Sequence, residues 1–127
     1  MQQVVIVIAL ALILYVVFSM LVGRARMKYN VEAPATTGDP IFERYFRVQQ
    51  NTQESLVLFL PGMFMFGVYS NPNIACILGL IWIVGRILYL RSYVKDPKSR
   101  GMGFMLSFLP NVILVIGGAV GAAGQIL

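Results

Sequence analysis

The chain has 127 residues, of which 58% are hydrophobic and only 12% charged, a balance that excludes an ordinary water-soluble domain and points to one membrane domain over residues 1–127. Ten basic residues against five acids give a net charge of +5, which suits contact with anionic lipid headgroups and carries no nucleic-acid signal. There is no histidine and one cysteine, Cys76, so His-based metal sites, Ser-His triads and Cys-His dyads are excluded, and no metal is expected.

A bilayer-spanning helix needs about 20 mostly apolar residues. Four stretches qualify, at about 4–23, 41–69, 74–94 and 102–126. The first carries no charge over residues 4–22. It lacks a basic lead and an A-x-A-like cleavage site, so it reads as a retained span and not as a secretory signal. The second begins polar and turns apolar near Leu56. Short connections join the four: "RARMKYNVEAPATTGDP", "SNPN" and "KDPKSRG". The predicted fold is therefore all-α, an integral membrane four-helix bundle running up-down-up-down. Every basic residue lies near the first or third connection, and the second connection has none. The positive-inside rule then assigns loops 24–40 and 95–101 to the cytosol.

The second span begins with Asp39 followed by Pro40, an N-cap acid and a proline at the first helical position. From there Arg44, Arg47, Asn51 and Glu54 recur at spacings of 3, 4 and 3, on one helical face. Charges that descend into a bilayer require protein or water around them, so the stripe marks either a ligand pocket or a structural network. In the third span Arg86, Tyr89 and Tyr93 share a face at like depth, and Glu54 is the expected acid partner of Arg86. Two such faces enclose a cavity of guanidinium, carboxylate, carboxamide and phenol groups, suited to a small ligand carrying carboxylates and an ammonium. In the fourth span "GGAVGAAG" has the Gly117-x-x-x-Gly121 spacing of close helix packing. Cys76 reads as a small buried hydrophobe.

These residues carry a family resemblance. "TTGDPIFERYFRVQQNTQESLVLFLP", residues 36–61, resembles the E-R-x-x-R-x-x-x-N-x-x-E signature of the MAPEG superfamily, the membrane-associated proteins in eicosanoid and glutathione metabolism, through Glu43, Arg44, Arg47, Asn51 and Glu54. "GRILYLRSYVKDPKSR", residues 85–100, is similar to the third-span motif of its leukotriene C4 synthase and microsomal glutathione transferase branch. Ser55 and Met27 depart from that branch, standing where leukotriene C4 synthase has a tyrosine and a second consecutive arginine.

The resemblance implies a homotrimer with glutathione as co-substrate, bound between neighbouring subunits on the cytosolic side. It implies that Arg47, Asn51, Glu54, Tyr89 and Tyr93 bind the peptide, with Glu54 on its amino group and Arg47 on a carboxylate. Arg26 and Gln49 would reach in from the neighbour, and Arg100 would stabilise the thiolate. Arg86, lining the same cavity, joins the expected glutathione-binding set. The second substrate would be lipophilic and arrive from the bilayer, and conjugation is the expected reaction, with peroxidase activity a further capability. The short form implies a bacterial inner-membrane member. The small-residue face Gly117, Gly121 and Gly124 is the expected place of close approach between subunits. Two other readings remain, a non-catalytic lipid-binding scaffold resembling the five-lipoxygenase activating protein, and a small channel or transporter.

Overall fold

Helix starts and stops in this chain follow from side chains that cap free backbone groups. The computed structural model describes all 127 residues, as four helices and no strand: α1 (Gln2–Tyr29), α2 (Pro40–Tyr69), α3 (Pro72–Lys95) and α4 (Gly101–Ile126), with a single 3₁₀ turn at Pro97–Ser99. The Asp39 carboxylate accepts from the backbone N–H groups of Ile41 and Phe42, and Pro40 opens α2. Asn71 repeats the device for α3, accepting from Asn73 and Ile74 ahead of Pro72. Asn30 closes α1 in the left-handed conformation, with φ 56°. The first and third helices are longer than hydropathy alone predicts. Arg24, Arg26 and Lys28, expected in a loop, lie on the last turns of α1, so the loop proper covers only residues 30–39. Polar residues continue a helix as readily as apolar ones, and hydropathy cannot see where it stops.

Helices α1, α3 and the segment containing α4 are each long and apolar enough to cross a membrane. The N-terminal half of α2 is too charged to join them by composition, although α2 is itself 30 residues long. Only 29 of 127 residues are buried, so most large apolar side chains point outward, as a bilayer solvent allows. The central core joins all four helices through Val4, Ala11, Phe59, Met63, Trp82 and Leu114, with the Phe59 and Trp82 rings stacked 4.2 Å apart.

Glycines let α4 press onto its neighbours. A Cβ on Gly103 would strike the backbone nitrogen of Tyr89, and one on Gly85 would meet the backbone of Leu106 at 2.8 Å. Further along α4, Gly117 lies against the Phe66 ring, and Gly121 against the carbonyl of Tyr69. The expected close packing is thus present but lies inside the chain. Gly117 and Gly121 pack on α2 within the chain, so they are not free for the subunit contact read from the sequence, whereas Gly124 faces open space.

Gly103→Ala drives a methyl into rigid backbone and should lower stability by about 1–3 kcal/mol, the usual scale of overpacking. Gly124→Ala meets open space and should keep or raise stability, by up to about 1 kcal/mol through helix propensity. Thermal unfolding of the two variants in detergent checks the difference.

Candidate functional site

The stripe along α2 divides into a buried and an exposed set. Arg86 of α3 is 1% exposed, and its Nη1 donates to Asn51 Oδ1 at 2.7 Å and to Thr52 Oγ1 at 3.3 Å. Its guanidinium carbon lies 4.4 Å from the centroid of the Tyr89 ring. The expected partner, Glu54, does not reach it. Glu54 stands on the outward side of α2, where its Oε1 lies 4.0 Å from Arg47 Nη1, with the two side chains 64% and 57% exposed respectively. The physical reason is the rotation of α2: Asn51 lies on the edge of the stripe nearest the buried Thr52 and α3, whereas Arg47 and Glu54, two turns apart, stand on its outer side. Arg44 has a separate task. Its Nη1 donates to the carbonyl of Val94 at 2.9 Å, neutralising the C-terminal end of α3.

Nearer the end of α3, the stacked rings of Tyr89 and Tyr93, with centroids 5.5 Å apart, form one wall of a cleft of about 430 Å³. Arg47 and Asn51 come from α2, and Arg100 from the turn that precedes α4. Asp96 organises that turn by accepting from the Lys98 N–H, and Arg100 Nη1 donates to the carbonyl of Pro97 at 3.0 Å. Four residues picked from helical spacing, Arg47, Asn51, Tyr89 and Tyr93, and Arg100, expected from the family resemblance, therefore border one space. Phe104 completes the wall. Sequence reasoning missed it because an aromatic in an apolar helix carries no polar signal.

The other candidates lie elsewhere in their own chain. Arg26 Nη1 donates to the carbonyl of Ala35 at 2.7 Å, and its guanidinium packs on the Phe42 ring, so it ties the α1–α2 loop to α2. Gln49 Nε2 donates to Ser19 Oγ at 2.9 Å and links α2 to α1. Arg86 borders a second, smaller cavity with Glu54 and Asn51, and not the wide cleft. A further polar cluster was not anticipated. Ser55 Oγ accepts from Trp82 Nε1 at 2.9 Å and from Asn111 Nδ2 at 3.0 Å, tying α2, α3 and α4 together. The available signal was Asn111 itself, a carboxamide in an otherwise apolar span.

With two guanidiniums, a nearby carboxylate, a carboxamide and two phenols, the cleft and its rim can hold a zwitterion with more than one carboxylate and favour an anion beside Arg100. Comparison with known proteins agrees with this chemistry. The sequence pattern of the MAPEG family matches residues 4–120. An uncharacterized protein of Synechocystis sp. is 49% identical over 118 residues, 93% of this chain and 86% of its own. Microsomal glutathione S-transferase 2 of Homo sapiens is 44% identical over 110 residues, 87% of this chain and 75% of its own. Leukotriene C4 synthase of Cavia porcellus is 37% identical over 91 residues, 72% of this chain and 61% of its own.

Asn51→Leu removes the short bond to a buried cation and should cost about 1.5–3 kcal/mol of stability. Glu54→Gln, on an exposed side chain, should stay within about 0.5 kcal/mol of the parent. Thermal unfolding without ligand distinguishes the two roles.

Proposed function

Because this chain belongs to the MAPEG family, an integral membrane protein of four helices, we propose that it is a membrane glutathione transferase that conjugates the glutathione thiol to lipophilic electrophiles. The observation that carries this reading is the convergence of Arg47, Asn51, Tyr89, Tyr93 and Arg100 on one cleft large enough for a tripeptide. Arg47 takes a glutathione carboxylate and Glu54 its ammonium, each at a site where both signs of charge already stand side by side. Asn51, held by Arg86, presents its carboxamide, and the tyrosines supply hydroxyls and a flat wall. Arg86 contributes by fixing Asn51.

The chemical step needs the thiolate, since a free thiol with pKa ~8.5 is mostly protonated at neutral pH. The permanent cation of Arg100 favours the anion; the proton leaves to water, and as the sulfur bonds to the electrophilic carbon the electron pair of the broken bond departs with a leaving group or moves onto a conjugated acceptor that water then protonates. Held beside an oriented substrate, the thiolate reacts as in an intramolecular step.

Exposure supports an assembled form. Glu54 is 64% exposed, and the next outward positions on α2 are the apolar Val57 and Leu58. A carboxylate on a face that continues into hydrocarbon is costly unless a neighbouring subunit covers it. We take the assembly to be a homotrimer in which Arg26 and Gln49 of one subunit complete the cleft of the next, in a bacterial inner membrane with the cleft on the cytosolic side.

Arg47→Ala and Glu54→Gln should each weaken glutathione by roughly tenfold or more, about 1.4 kcal/mol, with unfolding temperature unchanged. Calorimetric titration with glutathione reads this; full affinity in either variant would return the pair to a surface ion pair. Arg100→Ala should lower turnover with glutathione affinity nearly intact. It should also raise the pH at which the bound thiolate's ultraviolet absorbance appears, because losing the cation favours the protonated thiol. Lysine at this position should restore the titration only in part, as it keeps the charge without the planar fork.

A further inference from the structure

A separate recess of about 100 Å³ lies at the basic end of the bundle, between the end of α1 and the start of α2. Arg24 and Lys28, one turn apart on α1, line it with Tyr29 and Tyr45, and Leu21 and Ala25 supply its apolar lining. It is much smaller than the 430 Å³ cleft and suits one small group, not a peptide. No carboxylate borders it. The one ion pair of the chain joins Arg47 to Glu54, so both cations here lack an acidic partner. Lys28 instead lies over the Tyr29 ring, with Nζ 5.5 Å from its centroid. The helix dipole favours each cation at the C-terminal end of α1 but leaves their mutual repulsion at i and i+4 in place. An anion between them turns that repulsion into two charge-assisted contacts, and tyrosine hydroxyls are further donors for its oxygens.

The recess is placed at the height of a lipid headgroup. Helix α1 is long and apolar enough to cross a membrane and carries no charge over residues 4–22, so Arg24 is the first charge met on leaving the hydrocarbon. Lys28, Arg24, Leu21, Val17, Leu14 and Leu10 recur at spacings of 4, 3, 4, 3 and 4 on one face of α1, and Val17 and Leu10 are exposed. A cationic recess therefore continues into an apolar track. Ser19 and Arg26, which bond to Gln49 and to the α1–α2 loop, each lie two residues from this stripe, about 200° round the helix. The stripe is thus turned away from the face proposed to meet a neighbouring subunit.

We propose that the recess binds the phosphate of one anionic phospholipid per chain, with an acyl chain lying along Leu21, Val17 and Leu10. Arg24 and Lys28 take the phosphate oxygens. A headgroup with its own ammonium brings a third cation to the site, so phosphatidylglycerol is favoured over phosphatidylcholine. The inference is independent of the transferase reading and needs only the membrane placement of the fold.

The test counts lipid adducts on the detergent-solubilised full chain by native mass spectrometry, with phosphatidylglycerol and phosphatidylcholine of the same acyl chains in competition. The parent should retain one phosphatidylglycerol per chain with a preference of about tenfold or more, the scale of two basic residues at an anionic surface. Arg24→Gln combined with Lys28→Gln, both on exposed side chains, should bring that preference to about one. Lys95→Gln combined with Lys98→Gln removes the same charge away from the recess and should keep it. Millimolar inorganic phosphate should leave the lipid in place. A parent without the preference overturns the assignment, and so does an Arg24 and Lys28 variant that retains it. Equal loss in the two double variants also overturns it, because net charge and not the recess would then select the lipid. Displacement by inorganic phosphate overturns the lipid as occupant.

Discussion

The bond between the buried guanidinium of Arg86 and the carboxamide of Asn51 organises the polar half of this bundle. A cation at this depth is costly without hydrogen bonds, and α2 supplies them from Asn51 and Thr52 while the Tyr89 ring covers the guanidinium face. That requirement fixes the rotation of α2 against α3. Once it is fixed, Val48, Thr52 and Leu56 must face inward, and Arg47 and Glu54 are turned to the outside of the chain. The positions of these two charges, proposed to hold glutathione, are thus set by a residue that lies outside the wide cleft.

The same constraint separates two environments of about one helical turn each. Nearer the helix ends, Arg47, Arg100 and the tyrosines make an open, charged space suited to a peptide. One layer deeper, Ser55 joins Trp82 and Asn111 in a neutral network, and the chamber beside it opens between apolar side chains. Beyond that layer the contacts are apolar, with Phe59 and Trp82 stacked and the α4 glycines packed on α2. The lining thus grades from charged to neutral polar to apolar along the bundle.

Much of this was legible in the sequence, for reasons that can be located. Asp39 followed by Pro40 announced the start of α2, because a cap and a fixed φ act within one turn. The stripe Arg47, Asn51, Glu54 was legible as one helical face, and the cleft that Arg47 and Asn51 border with Tyr89 and Tyr93 followed from matching depth on two helices, while Arg100 came from the family resemblance. Partner choice was not legible. Glu54 and Asn51 differ by less than one turn, and only the rotation of α2 decides which meets Arg86. The glycine stripe of α4 gave close packing but not the identity of what packs, since a small-residue face serves an internal neighbour as well as a second subunit. Ser55 was visible only as a departure from a related branch, and its role depends on Trp82 and Asn111, which are distant in sequence.

The most direct measurement is an experimental structure of the protein in lipid nanodiscs with glutathione bound. The account predicts three chains around an axis and a glutathione molecule against Arg47, Asn51, Tyr89, Tyr93 and Arg100 of one of them. Its sulfur would lie beside Arg100, and Arg26 of the neighbouring chain would reach in. Glutathione seated away from these five residues, or a cleft that stays empty at saturating glutathione, would contradict it.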